Sequence, residues 1–258
     1  MAADTGDRPR VDVVVLTWND NDLAAIAVQS ALASTGVDVN VIVVDNGSEP
    51  PARFDHDEVR VLRNDVNRGV AGGRNRGARE GDAPLVCLLD SDAALHPDTI
   101  EQLTRPLAAD PRIALAAPVF EGQEPSASAG LAPSLWRKAS RVLGRTAEYE
   151  RVATDGPWWD VDFAIGACQL FRREAYDAVG GLDEGYFYGP EDVDFCLRLI
   201  RSGRRVVQVR DASCIHPARR LYRRPLSVRG LYHAWAVVRH LARHRGFRRR
   251  YPLATRGA

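Results

Sequence analysis

The sequence predicts an α/β protein: a central, mostly parallel sheet flanked by helices, followed by a basic helical arm. Two observations carry the prediction. Residues 11–17 (VDVVVLT), 39–44 (VNVIVV) and 86–89 (VCLL) are short apolar runs with little alternation, as in strands buried on both faces. Between the first two, apolar residues recur at helical spacing (Leu23, Ile26, Ala27, Ala31). A β-α-β alternation of this kind implies right-handed crossovers and a parallel sheet.

In chain order, residues 1–10 form a tail without the apolar core of a signal peptide. The first strand ends at Thr17, and the polar turn Trp18-Asn19-Asp20-Asn21-Asp22 offers a helix N-cap to residues 23–35. The second strand runs into Asp45-Asn46-Gly47-Ser48, a turn signal, and residues 59–63 give a third strand. The glycine-rich stretch 67–78 (NRGVAGGRNRGA) follows. Its glycines allow close approach to a ligand, and a helix start favours anions, so Arg74 and Asn75 are candidate nucleotide contacts. A glycine-rich turn is the simpler explanation. The stretch is neither a P-loop nor a dinucleotide fingerprint.

The fourth run leads into Asp90-Ser91-Asp92. Open α/β sheets bind ligands beyond the carboxyl ends of their strands, and residues i and i+2 share a face. Two hard oxygen ligands there suit Mg²⁺ or Mn²⁺ on a substrate's phosphates; equally, two aspartates can end a strand and cap a helix. A helix over 97–109 and a strand over 113–119 come next. Residues 121–156 read as an inserted or mobile segment with a short helix over 135–143. A strand over 160–172, bent at Gly166, precedes a short helix over 173–179.

Residues 182–198 are the second dense cluster. Pro190 with Glu191, Asp192 and Asp194 marks a helix N-terminus, where acids offset the macrodipole. Tyr186, Phe187 and Tyr188 crowd the same spot, and aromatic faces beside a carboxylate are what a sugar site requires. The helix ends at Gly203, a strand covers 206–209, and His216 follows an edge turn.

Composition sets the remaining bounds. The four cysteines are scattered without metal or redox spacing and read as reduced thiols in a cytoplasmic protein. No apolar run is long enough to span a bilayer. Of 35 basic residues, twelve are arginines after Asp211, the last acid, so the rest carries 23 basic against 34 acidic residues. The arm at 218–258 therefore points to an anionic partner: a membrane surface before nucleic acid, because no nucleic-acid module accompanies it. Within it Leu231, Trp235, Val238, Leu241 and Ala242 share one helix face. That face either lies on an anionic leaflet, placing the protein peripherally on the inner side of the plasma membrane, or packs on the domain.

Five stretches in order (VVVLTWND, VVVDNGS, NRGVAGGRNRGA, LLDSDA and GACQLFRREAYDAVGGLDEGYFYGPEDVDFCLR) resemble the inverting family 2 glycosyltransferases of the GT-A fold, a single Rossmann-like domain. Similarity is strongest to the bacterial rhamnosyltransferase-like subgroup and covers residues 11–217. It implies transfer from a nucleoside-diphosphate sugar to a glycan or lipid-linked acceptor in cell-envelope polysaccharide synthesis. Thr17 and Asp45 would line the nucleobase pocket and Arg74 would lie against the nucleotide. Asp90 would contact the ribose or the cation's waters, and Gly166 and Ala167 would approach the donor sugar. Asp92 and His216 would hold Mg²⁺ or Mn²⁺. Asp192 would be the general base, with Glu191 orienting the acceptor or sharing that role. Acceptor contacts would come from Trp158, Trp159, Tyr186 and Tyr188. Trp18 departs from the Tyr commoner there, and Pro190 from the usual neighbour of the acidic pair. A phosphatase with Asp-x-Asp after a strand fits less well, because Ala93-Ala94-Leu95 follows. A sugar-nucleotide pyrophosphorylase shares the fold class but needs a glycine-rich basic loop after the first strand, where Trp18-Asn19-Asp20 stands. A non-catalytic relative that only binds a nucleotide sugar or glycan would have no use for the carboxylates Asp92 and Asp192.

Overall fold

Four parallel strands form one half of the sheet: β3 (Val59–Arg63), β2 (Asp38–Asp45), β1 (Arg10–Thr17) and β4 (Leu85–Asp90), in that order. The computed structural model describes residues 8–54, 56–131, 156–217, 235–236, 238–240 and 242–244. Register brings Thr17 opposite Asp45 and Leu16 opposite Asp90, so the polar ends of three strands finish at one edge. Helices α1 (Asn21–Leu32) and α2 (Gly69–Glu80) make the crossovers. α1 buries Ala24, Ala27, Val28 and Ala31, the helical spacing visible in the sequence.

The other half is mixed. β10 (Cys168–Arg172) lies antiparallel between β4 and β6 (Ile113–Phe120), which follows α3 (Thr99–Ala109). Running against its neighbours, β10 starts where the parallel strands end, so Ala167 accepts the Asp90 amide at 2.9 Å. β11 (Arg205–Ile215) pairs parallel with β6 and shifts register between Gln208 and Ser213. The strand predicted at 206–209 and the edge turn after it are thus one irregular strand. β5 (Ala94–Leu95) folds back on its end, Leu95 opposite Cys214. That short pairing carries His216 toward Asp92.

The strand expected over 160–172 is three pieces. β8 (Trp158–Asp160) pairs with β11, β9 (Phe163–Ala164) pairs with β7 (Ala129–Gly130), and β10 enters the main sheet. The chain there serves three neighbours in turn, which apolar content alone does not reveal. α4 (Arg173–Ala178) and α5 (Glu191–Arg201) complete the domain. The short helix expected over 135–143 lies outside the described residues. Apolar clusters fill both faces of the sheet, and all four cysteines are buried and unbonded.

In the arm, described residues between 235 and 243 are helical. Ala236, His240 and His244 are buried, whereas Trp235 is 54% and Val238 60% exposed. Of the two alternatives for the apolar face, packing on the domain does not hold at Trp235 and Val238: the inward face is the histidine face. Two acids on the domain, half-buried Asp183 and fully buried Asp194, supply the reason. Leu231 and Leu241 lie outside the described residues. Among the described residues no helix is long and apolar enough to cross a membrane.

Candidate active site

Asp90, Asp92 and His216 converge beyond the end of β4. One ligand atom from each lies within 4.8 Å of the others. His216 Nε2 is 3.5 Å from Asp92 Oδ1. Its ring packs on Phe120 with centroids 4.8 Å apart, and its carbonyl accepts Gln123 Nε2 at 2.8 Å, so its direction is set by neighbours. Two carboxylates and one imidazole, all partly exposed, are a donor set suited to Mn²⁺ and, less strongly, Mg²⁺.

Behind them Arg74 is buried as a hub. Its Nη2 donates to Asp90 Oδ1 at 2.5 Å and to the Gly166 carbonyl at 2.8 Å, and its Nη1 to Glu191 Oε1 at 3.1 Å. Burial opposes its charge, but Asp90 and Glu191 more than offset this and hold its pKa above the ordinary value. The expectation that Arg74 lies against the nucleotide is corrected to this extent: the guanidinium is buried beneath the carboxylates. Gly166 is needed for the approach, since a Cβ there would collide with that guanidinium.

The other side of the Gly166 peptide holds the base candidate. Its amide donates to Asp192 Oδ2 at 3.0 Å, and the Val193 amide donates to Asp192 Oδ1 at 2.7 Å. Burial raises the Asp192 pKa, against the pull of the Gly166 amide and Arg74. Glu191 is deeper. Burial first, then the charge of Asp192, push it up to about 7 despite Arg74. Glu191 Oε2 has no hydrogen-bond partner among the described residues. Asp192 is half-buried, whereas Glu191 is buried.

At the β1–β2 edge Thr17 is buried, and its hydroxyl lacks a hydrogen-bond partner among the described residues. Asp45 is fully buried and accepts the Ser48 amide at 2.8 Å, the Ala52 amide at 3.0 Å and Arg63. Burial raises its pKa, and these hydrogen bonds outweigh it and hold it low. A carboxylate has about four acceptor positions, so Asp45 mainly fixes the loop that would wall a base pocket. Asn46 ties that loop to the start of α2, accepting the Arg68 amide at 3.0 Å and donating to the Gly69 carbonyl at 3.1 Å. The α2 start is itself covered: the Val70 amide donates to the Phe187 carbonyl at 2.9 Å, so it does not face a phosphate.

Two aromatic expectations are corrected. Tyr186 is fully buried, and Trp159 is buried with its indole donating to Gln208 Oε1 at 3.1 Å; both are core residues. Trp158 is half-buried against the core. Tyr188, Phe187 and Trp18 are exposed and remain able to touch a ligand. Asn75 is also placed differently from the sequence expectation: its amide donates to Leu182 and Glu184 and accepts from the Leu182 amide, stapling the loop before α5. The pairings of Asp183 with Arg239 and of Asp194 with His244 give no sequence signal, because they join segments about fifty residues apart.

The profile of glycosyl transferase family 2 matches residues 12–180. The chain is 34% identical over 177 residues to a pre-mycofactocin glycosyltransferase of Mycobacterium tuberculosis, covering 65% of this chain and 35% of that protein. It is 30% identical over 261 residues to the N-acetylglucosaminyl-diphospho-decaprenol L-rhamnosyltransferase of the same organism, covering 91% of this chain and 85% of that one. A mannosyltransferase from Pyrobaculum calidifontis, solved with GDP-Man and Mn²⁺, superposes with a TM-score of 0.62 at 23% identity. That match covers 94% of this chain and 66% of the other. The chain thus spans about a third of the first relative and most of the second.

Proposed function

The chain belongs to glycosyl transferase family 2, and we propose that it transfers a sugar from a nucleoside-diphosphate sugar to a glycan or lipid-linked acceptor, with inversion and with Mn²⁺ or Mg²⁺. The observation that carries this is the pairing of two groups across Gly166: the Asp90/Asp92/His216 ligand set and the Asp192 carboxylate.

The nucleobase sits beside Thr17, whose unpartnered hydroxyl can bond it, against the loop held by Asp45. Asp92 and His216 would hold the cation, with Asp90 beside them. When bound, the cation neutralises the charge that grows on the departing diphosphate. Gly166 and Ala167 bring backbone close to the sugar. Asp192 accepts the proton of the acceptor hydroxyl, a poor nucleophile until that proton leaves. Its pKa is raised mainly by burial, which increases its basicity. The Gly166 and Val193 amides fix its oxygens. Arg74 balances Asp90, Glu191 and Asp192, so that three acids are tolerated in one crevice. Tyr188 and Phe187 offer the acceptor an exposed aromatic edge.

The lipid-linked acceptor is favoured by one further observation. Trp235 and Val238 face outward from a segment flanked in sequence by arginines, which suits the surface of an anionic leaflet. The mycobacterial rhamnosyltransferase, similar over 91% of this chain, is named for a decaprenyl-linked acceptor. Rhamnose is the sugar its name adds.

A panel of nucleoside-diphosphate sugars with Mn²⁺ and a polyprenyl-diphosphate sugar tests the reading by release of nucleoside diphosphate. One donor class should be consumed by the wild type and not by Asp192→Asn. Equal release by both proteins would remove the base from the mechanism.

A further inference from the structure

The segment from Arg239 to His244 grips the loop and helix start that carry Glu191 and Asp192. Asp194, two residues beyond Asp192, is fully buried, and its Oδ1 lies 2.6 Å from His244 Nε2, also fully buried. Its Oδ2 accepts Arg198 Nε at 2.7 Å, and Arg198 Nη1 donates to the Val179 carbonyl at 2.7 Å. At the other end of the loop, Asp183 Oδ2 accepts Arg239 Nη2 at 2.9 Å and also contacts Arg243. The Arg239 guanidinium stands 5.3 Å above the ring of buried Tyr186. Three anchor points, at 183, 186 and 194, therefore bracket the Pro190-Glu191-Asp192 turn.

By distance, Asp194, His240 and His244 could hold a metal ion. The arginines argue otherwise: Arg198 and Arg243 lie 2.7 and 3.6 Å from the same carboxylate, and a divalent cation would be added beside both. A buried carboxylate needs a charged partner and hydrogen bonds; Arg198 supplies the charge, and Arg198 with His244 supplies the bonds.

We propose that His244 is a positioning residue, which together with Arg239 makes the C-terminal arm a brace for the base-bearing segment 183–194. It touches no substrate; it acts through Asp194 on the placement of Asp192. General-base catalysis needs hydrogen-bond reach, and a displacement of about 1 Å can cost ~100-fold in rate. Donor binding, set by the ends of β1, β2 and β4, does not depend on the brace. The catalytic consequence rests on the transferase reading above.

The test compares full-length His244→Leu and His244→Gln with wild type, by hydrogen–deuterium exchange and by turnover. In Gln the amide nitrogen can replace Nε2; in Leu nothing can. His244→Leu should exchange faster over 183–195 but not over 11–17 or 85–90. Its kcat should fall ~10- to 100-fold with donor Kd unchanged, and His244→Gln should recover most of both. Unchanged exchange over 183–195, or unchanged kcat despite faster exchange, overturns the proposal. If the Leu variant fails to fold, Arg239→Gln, which loosens the half-exposed end of the brace, gives the same readouts. If the wild type turns over no donor, the transferase reading has failed, and exchange alone decides the brace.

Discussion

Arg74 Nη1 lies 3.1 Å from Glu191 Oε1, and both side chains are buried. Glu191 nevertheless keeps a pKa near 7, because burial and Asp192 outweigh the arginine. The native state then binds a proton that the unfolded chain releases near its ordinary value of 4.5, so stability falls as pH rises from about 4.5 to 7 and levels off above. Glu191→Gln mimics the protonated form and should gain on wild type across that window. Urea midpoints at pH 4.5 and 8 check this; a difference that does not change with pH would refute it.

Asp194 has the opposite sign. Although burial opposes the charge, the bond from His244 and the nearby Arg198 hold its pKa at about 2, below the ordinary 3.8. The stability it contributes is present above about pH 4 and is lost as pH falls toward 2. Asp194→Asn should cost ~3–5 kcal/mol at pH 7, as for a broken buried pair, and much less near pH 2. Chemical denaturation at both pH values measures it. An equal cost at both would mean the pairing is not ionic.

Asp192→Asn preserves shape and removes the proton acceptor. Turnover should drop at least ~100-fold, the lower range for a general base, with donor affinity nearly unchanged. Pre-steady-state transfer and donor titration separate the two. If Glu191→Gln is the inactive variant and Asp192→Asn is near normal, the roles are exchanged.

Trp235 and Val238 present the outward face of the arm. Burying one such side chain is worth ~1.5–3 kcal/mol, so Trp235→Ser should weaken binding to anionic vesicles about tenfold or more. Sedimentation at low and high salt reads this. An intact protein that stays in the supernatant with anionic vesicles at low salt would leave the arm as a brace alone.

The parallel half of the sheet was legible because buried strands leave uninterrupted apolar runs, as in Val86-Cys87-Leu88-Leu89 before Asp90. The Asp90/Asp92 pair could be read from the strand end and His216 from the family resemblance; the convergence of the three through the β5–β11 pairing shows only in the structure. Charged groups buried at long range were not legible. Arg74 reads as a nucleotide contact until Asp90 and Glu191 are seen around it, and Tyr186 reads like its exposed neighbours Phe187 and Tyr188. In the arm, helical periodicity correctly grouped Trp235 and Val238 but did not show which face turns inward. Asp183 and Asp194 on the domain decided that, drawing in His244, Arg239 and Arg243.

The most direct test of the account is nucleoside-diphosphate binding with and without Mn²⁺ for wild type and Asp92→Ala, followed by transfer in excess chelator. Wild type should bind the diphosphate at least ~10-fold more tightly with Mn²⁺, because a divalent cation held by the carboxylates would attract the diphosphate's charge. Asp92→Ala should lose that gain, and chelation should abolish transfer until Mn²⁺ or Mg²⁺ is restored. Full transfer in excess chelator, or an Asp92→Ala variant with undiminished Mn²⁺-linked affinity, would contradict it.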